Sequence, residues 1–568
     1  MQRRSFVLGS GITLAGLASG AAYWRWQEIK PAVHYPGRDL GHQIRDQTNY
    51  SAWPSSGVVR KTKVLIIGSG VAGLTAAWRL NKSGCQDLLM LQGPEPFGNS
   101  AGTSFGTGND QISCPTGAHY LPLPSMESRH VRELLFDLGV IEANPYALQP
   151  TYDERALVHA PDERLLFNGQ WQEGLLPLQM TGQGISAGDI AEHQRFVEQI
   201  AQWRELIGSD GKKVFAIPLV LSSHDTAWRA LDQLSFADWL RAQDYQSAVL
   251  HWYANYCCRD DYGQTYDKVS AWAGLHFFCS RGGQAANAER GAVLTWPNGL
   301  QTLTQGLFDH AKLQERSLPM SALQIDEQAD GVRVLAWDHQ QGITVQIRAE
   351  QVICAMPLFV AKHVVRDAHR YGLASAQDLP PTVPWLVSNF WLKHFPAEIN
   401  EMNQSRDTVP LAWDNVVYGG KGLGYVVATH QQVRVGQPRQ TVFTAYHALS
   451  DQTPDAARQW LNQASPQQLL KLALSDLHAA YDWRFNPQVL AADITVRAHA
   501  MASPIPGFLS NPTLLAMREP GVNAAANAHG NVNQRRLHFA HSDLSGMSLF
   551  EEASWWGDVA ARAVMQAL

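Results

Sequence analysis

Three glycines in one short stretch, Gly68, Gly70 and Gly73, carry the clearest chemical pattern in this chain of 568 residues. Without a Cβ, Gly68 allows a tight turn, Gly70 clears the side chain that would block a pyrophosphate, and Gly73 lets a helix pack close to the strand before it. Such a turn means little without context, and here both flanks supply it. Val64, Leu65, Ile66 and Ile67 read as a buried strand, and the alanine-rich run from Leu74 to Leu80 reads as a helix. The free N–H groups at the start of that helix would face phosphates, so the chemistry is dinucleotide binding. About 20 residues on, such units usually end a second strand in an acidic residue that holds the ribose diol. Here the strand over 87–91 ends in Gln92. An amide can bond a hydroxyl, but without the charge-assisted strength of a carboxylate.

The elements that must position this unit extend well beyond it. The chain is too long for one core and fits two or more domains of roughly 100–200 residues each. Charged residues make up 17% and hydrophobic residues 45%, which implies a large buried volume. A net charge of −6 with no long basic run excludes nucleic acid as the main partner. None of the six cysteines stands in a CxxC or metal-like spacing, so neither a metal site nor a disulfide framework is expected, and Cys257 and Cys258 read as neighbouring core residues.

In chain order, Arg3 and Arg4 precede an apolar run from Phe6 to Ala22. Paired arginines before a modestly hydrophobic, glycine-rich segment are similar to a twin-arginine export signal, which predicts the export machinery as a partner and a periplasmic location. Tyr23, Trp24 and Trp26 around Arg25 equally suit an interfacial membrane anchor. We expect a signal or anchor over 1–26, a linker over 27–60, and a dinucleotide-binding domain in three parts, 61–150, 291–375 and 531–568. A helical insertion over 151–290 and a mixed segment over 376–530 would form the second, substrate domain. Within the insertion, Ser235 reads as an N-cap with Asp238 at its capping-box position. The aromatic stretch Trp252 to Tyr256 leads into Arg259, Asp260 and Asp261, three charges that want solvent or partners.

Four separated blocks resemble the flavin-containing amine oxidase superfamily. They are the Gly68/Gly70/Gly73 turn; Gly117-Ala118-His119-Tyr120; Trp296 to Leu303 with Ala322 to Asp326 and Val352 to Pro357; and Leu537 to Asp543 with Glu551 to Ala561. The resemblance implies an α/β fold, a Rossmann-like FAD-binding domain with a mixed α+β substrate domain. It implies that Gly117 passes by the flavin, that Ala322 meets adenine through its backbone, and that Asp543 binds the ribityl chain or pyrophosphate. It also implies that the backbone around Glu552, at a helix N-terminus, faces the flavin pyrimidine, where it would stabilise the anionic reduced form. His119, following the flavin-facing glycine, is the candidate for proton transfer or substrate positioning.

Several positions depart from the family pattern. A loop that often carries Gly-Gly-Arg reads Phe97-Gly98-Asn99-Ser100, so a phosphate-facing cation is missing. His541 replaces a glycine, Glu552 stands where a glycine is common, and Phe550 occupies the neighbourhood of a cage tyrosine. The strand expected to bear a lysine near the flavin, Trp385 to Trp391, has none. The expected function is an exported FAD-dependent oxidoreductase, amine-oxidase-like, that oxidises a small molecule by hydride transfer. Alternatives are a desaturase or dehydrogenase feeding a quinone or protein, and a redox-inactive nucleotide-binding scaffold. An acidic, aromatic pocket would favour amines; an apolar tunnel would favour the desaturase.

Overall fold

The computed structural model describes residues 29–568 apart from 48, 52, 179–183, 374–377, 399–408, 437 and 519–534. The paired arginines and the apolar run behind the export expectation lie outside the described residues. Two large sheets organise the rest. The first has seven strands. At its centre Ser55–Ile67 lies parallel to Leu88–Leu91 on one side and to Ile343–Cys354 on the other. Leu537–Phe539 runs parallel to the end of Ile343–Cys354, and Gly331–Asp338 and Met320–Gln328 continue the sheet antiparallel.

The apolar run that reads as a strand in the sequence does so because both its faces are covered. Val64 and Ile66 pack with Leu74 and Trp78 of helix Val71–Lys82, whereas Leu65 and Ile67 pack with Val352, Cys354 and Leu358 on the opposite face. Burial on both sides is the normal condition of parallel strands and explains their continuous hydrophobicity. The C-terminal helix Phe550–Ala567 lies against Val71–Lys82 so closely that a Cβ on Gly557 would stand 2.2 Å from the Ala72 carbonyl oxygen.

The second sheet has eight strands, ordered Ala32–His34, Val489–Ala502, Thr382–Leu392, Thr441–Ala448, Tyr425–Val427, Asp414–Val417, Glu163–Phe167 and Gln170–Glu173. Along Thr382–Leu392 the side chains alternate. Leu386, Phe390 and Leu392 meet the helices Pro466–Ala473 and Ser475–Tyr481. Trp385 and Val387 face the helix Ala248–Tyr262.

Two expectations need correcting. Residues 27–60 are not a plain linker: Ala32–His34 pairs in parallel with Val489–Ala502, Arg38–Asp46 is a helix, and Ser55–Ile67 begins inside the stretch. Its polar composition reflects exposed faces rather than the absence of structure. The 151–290 insertion is not purely helical either. It opens with the hairpin Glu163–Phe167 and Gln170–Glu173, which joins the second sheet beside Asp414–Val417. Helices follow at Ala187–Arg204, Phe236–Ala242, Ala248–Tyr262 and Ala271–Ser280. Ser235 caps Phe236–Ala242 as its sequence predicts, accepting the Asp238 N–H. All six cysteines are free, with Cys257 and Cys258 buried.

Candidate functional site

The glycine turn has the geometry its spacing predicts. Gly68 adopts φ +111°, and a Cβ there would stand 2.7 Å from the Ala355 carbonyl oxygen. A Cβ on Gly73 would stand 2.0 Å from the Gly68 carbonyl oxygen. Gly70 differs: its Cβ would meet nothing within 4 Å, so the turn opens onto space at the place a pyrophosphate needs. Gly70 is also the N-cap of Val71–Lys82, and no side chain caps the helix. Its first N–H groups are thus available to an anion.

Of the other expected cofactor residues, Gln92 bonds to the turn itself. Gln92 follows Leu88–Leu91 directly, and its carbonyl accepts the Ser69 hydroxyl at 3.0 Å. Ala322 sits at a β-bulge in Met320–Gln328. Asp543 is buried with one carboxylate oxygen accepting the Leu358 N–H at 2.9 Å and the other 3.1 Å from His541 Nδ1. Burial alone would raise the Asp543 pKa, but His541 and the Leu358 N–H hold it below the usual value. In its neutral form His541 instead accepts the Asp543 N–H through the same Nδ1, and so, in place of a glycine, caps the turn Ser542–Ser545. These residues fit a dinucleotide: an uncapped helix start, an open glycine turn, and a buried carboxylate.

Gly117 has a packing reason to be glycine. A Cβ there would collide with the Asn99 carbonyl oxygen at 2.1 Å, so the residue is required by the loop packed against it. Its neighbour Ala118 is exposed although the surrounding segment is buried.

Glu552 is fully buried, and its carboxyl is engaged by protein groups. It accepts the Leu219 N–H at 2.6 Å and the Ser545 hydroxyl, tying the C-terminal helix to the insertion. Desolvation raises its pKa to about 7 despite those bonds. A carboxyl raised in the folded state contributes stability that is fully present below its unfolded pKa and lost as pH rises through 7. Glu552→Gln keeps an acceptor for Leu219. Relative to the wild type, it should therefore gain on the order of 3 kcal/mol between pH 4.5 and pH 8. Denaturant midpoints of both proteins across that range check this; a difference that does not change with pH would contradict it.

Beside Ala118 lies a recess that no single stretch of sequence announces. The His119 ring stacks on Tyr446 at 4.4 Å and contacts Tyr120 and Trp413 at 5.0 and 5.5 Å. Tyr446 donates to the Gly117 carbonyl at 3.0 Å, which fixes this aromatic group against the segment before Ala118. Tyr120 donates to Asp260 at 3.0 Å. Asp414 stands in register with Glu163 on the adjacent strand, and both lie on the sheet face covered by Ala248–Tyr262. His119, Tyr120, Asp260, Asp414 and Glu163 all keep accessible surface, yet desolvation dominates the pKa shift of each. Groups that are accessible and deeply surrounded line an internal space.

That space is acidic. Burial raises Asp260 to about 6 and Glu163 to about 7, and raises Asp414 strongly. Asp260 and Glu163 also add like charge against Asp414. The cation on this side, Arg281, is already paired with Asp261. Desolvation lowers the His119 pKa to about 3, and its ring, neutral and in contact with Tyr120, Trp413 and Tyr446, forms an aromatic wall. Phe550 belongs to the core beneath the first sheet, not to this recess. The inward face of Thr382–Leu392 offers Trp385, Val387 and Asn389, with Asn389 donating to the Pro115 carbonyl at 2.9 Å, and no lysine. Among the described residues no cluster of His, Cys, Asp or Glu is arranged to hold a metal ion.

Comparison with known proteins places this architecture. Residues 66–138 match the model of an NAD(P)-binding Rossmann-like domain. No curated protein sequence matches the chain. Among solved structures it is similar to cyclohexylamine oxidase from Brevibacterium oxydans IH-35A, at 16% identity and a TM-score of 0.58, covering 89% of this chain and 99% of that one. It is also similar to wild-type putrescine oxidase bound to putrescine, at 16% identity and a TM-score of 0.56, covering 90% and 100%. A CLA-producing fatty acid isomerase from P. acnes aligns at 15% identity and a TM-score of 0.54, covering 88% and 98%. At these identities the likeness establishes the fold: a Rossmann-like dinucleotide-binding domain within the two-domain architecture that these proteins share.

Proposed function

We propose that this chain is an FAD-dependent oxidoreductase that oxidises a cationic amine. The observation that carries the reading is the recess beside Ala118, walled by His119, Tyr120, Trp413 and Tyr446 and lined by carboxylates, with Arg281 already paired and no other cation seen to balance them among the described residues. Aromatic faces and carboxylates together attract an ammonium group. An apolar substrate would gain nothing from Asp260, Asp414 and Glu163, so the desaturase alternative is disfavoured.

Gly68, Gly70 and Gly73 with the start of Val71–Lys82 would hold the cofactor's pyrophosphate, with Gln92 at the ribose, Ala322 at the adenine and Asp543 toward the ribityl chain. Bound FAD supplies the hydride acceptor. The chain's own residues bind and orient the amine. Asp260, raised to about 6, is a better proton acceptor than an ordinary aspartate. It gives a place for the proton that the nitrogen must lose before a hydride leaves the adjacent carbon.

The test is a visible spectrum of the purified protein before and after adding a panel of amines without oxygen. A yellow protein bleached by one amine supports the reading. A colourless protein that takes up no FAD sinks it and leaves the nucleotide-binding scaffold.

A second observation bears on the electron acceptor. With Trp385, Val387 and Asn389 facing inward and no lysine, no cation is placed on that strand to stabilise negative charge developing on oxygen. The reduced protein should react with oxygen on the order of a hundredfold more slowly than with a soluble quinone. Stopped-flow reoxidation with each acceptor measures this; equal rates would refute it. Arg3 and Arg4 support export by the twin-arginine machinery to the periplasm, with the following apolar run as a signal or a membrane tether. Among the described residues no helix is long and apolar enough to cross a membrane.

A further inference from the structure

The loop over 93–103 lacks the arginine expected near the cofactor phosphates, yet a guanidinium reaches it from the other sheet. Arg497 lies on Val489–Ala502, opposite Trp385 of Thr382–Leu392, and is 8% exposed. Every N–H it owns has an acceptor. Nε donates to the Thr116 carbonyl at 2.9 Å, and Nη1 donates to Glu95 Oε2 at 2.9 Å and Asn99 Oδ1 at 3.0 Å. Nη2 donates to Glu95 Oε1 at 2.8 Å and the Gly98 carbonyl at 3.4 Å. Asn99 adds a bond of its own to the same strand, from Nδ2 to the Ala500 carbonyl at 2.7 Å.

What Arg497 grips is the piece of chain that approaches the glycine turn. A Cβ on Gly98 would point at the Gly70 Cα from 3.9 Å. The Asn99 carbonyl accepts the Ala118 N–H at 2.8 Å, so the same clamp sets the segment that opens onto the aromatic recess. We propose that Arg497 is a positioning residue for the dinucleotide site: from the substrate-side sheet it holds the 95–99 loop against the Gly70 turn, so that cofactor retention depends on the two sheets being docked. The assignment rests on the FAD reading above. A guanidinium with all five N–H groups committed and a bidentate carboxylate partner has neither a donor nor a net charge to spare for a phosphate. Arg497 therefore acts through loop geometry, and charge alone cannot replace it.

That distinction makes Arg497→Lys the informative variant, with Arg497→Met beside it. In the full chain loaded with FAD, both should raise the FAD dissociation constant by roughly ten- to a hundredfold. Both should also speed amide exchange over 95–99 and 116–118 while leaving helix Pro466–Ala473 at its wild-type rate. If Arg497→Lys retains FAD as tightly as the wild type while Arg497→Met does not, charge is what matters and the proposal fails. It fails too if both variants bind FAD normally. Should neither arginine variant fold, Glu95→Gln removes the ion pair at a less buried position; the same weakening of FAD is expected, and unchanged affinity overturns the assignment. A wild-type protein that binds no FAD brings down the flavin reading and this assignment with it, whereas wild-type binding with unaltered variants brings down this assignment alone.

Discussion

Changing Asp260 and Asp414 together to asparagine is expected to weaken the binding of a cationic amine by roughly a hundredfold or more, with flavin content unchanged. Asparagine keeps the shape of each side chain and removes its charge. In a recess this enclosed, water cannot substitute for the lost carboxylates, so each is worth more than an exposed ion pair would be. The pH dependence has a definite sign. Burial raises Asp260 to about 6 and Glu163 to about 7, so below those values the empty recess holds protons. An ammonium guest favours the ionised forms and must displace those protons. Amine affinity should therefore rise as pH goes from 5 to about 8, and the double variant should lose the part of that slope due to Asp260 while keeping the part due to Glu163. Anaerobic titration of flavin bleaching at several pH values measures both effects. If an uncharged substrate analogue loses as much affinity as the amine does, the carboxylates are not reading charge and the assignment is wrong.

The parts of this site legible in the sequence are those whose chemistry is local. A glycine turn between a strand and a helix is written in consecutive residues, because the strand, the turn and the helix are each specified by short-range pattern. Gln92 is read as a candidate from its spacing after the turn, and Ala322 from the resemblance alone. The recess was not legible, because its walls come from five distant places: Gly117 to Tyr120, Glu163–Phe167, Ala248–Tyr262, Trp413 to Val417 and Thr441–Ala448. Nothing near Tyr446 marks it as a partner for His119; only the register of Thr441–Ala448 turns that ring toward Gly117. Asp260 did send a signal, as a charge in an aromatic helix that needed a partner, but its carboxylate company arrives through the pairing of Asp414 with Glu163. Arg497 sent none. A single arginine becomes informative only when its acceptors, drawn from Glu95 to Thr116, are brought to it by docking of the two sheets. Three-residue Ala32–His34 is likewise too short to show periodicity, which is why a polar stretch read as a linker.

Two alanine substitutions in the glycine turn should fail in different ways, and the contrast tests what each glycine is for. In Gly73→Ala the new Cβ would stand 2.0 Å from the Gly68 carbonyl oxygen, a backbone atom that cannot swing aside. Relief would require moving helix Val71–Lys82 off the strand. The other side of that helix is blocked as well, since Gly557 is already needed to let Phe550–Ala567 approach Ala72. The overlap therefore stays as strain, and Gly73→Ala should lose about 3 kcal/mol of stability or more, and its FAD with it. Gly70→Ala meets no such obstacle. Its Cβ enters open space, and its φ of −75° suits any residue, so the unfolding midpoint should stay within about 0.5 kcal/mol of the wild type. Only the place left for a pyrophosphate is filled. The expected result is a stable protein that purifies without flavin and fails to take up added FAD, read by absorbance beside a denaturant curve. A Gly70→Ala protein that keeps FAD at wild-type affinity would mean that the phosphates do not pass over this turn.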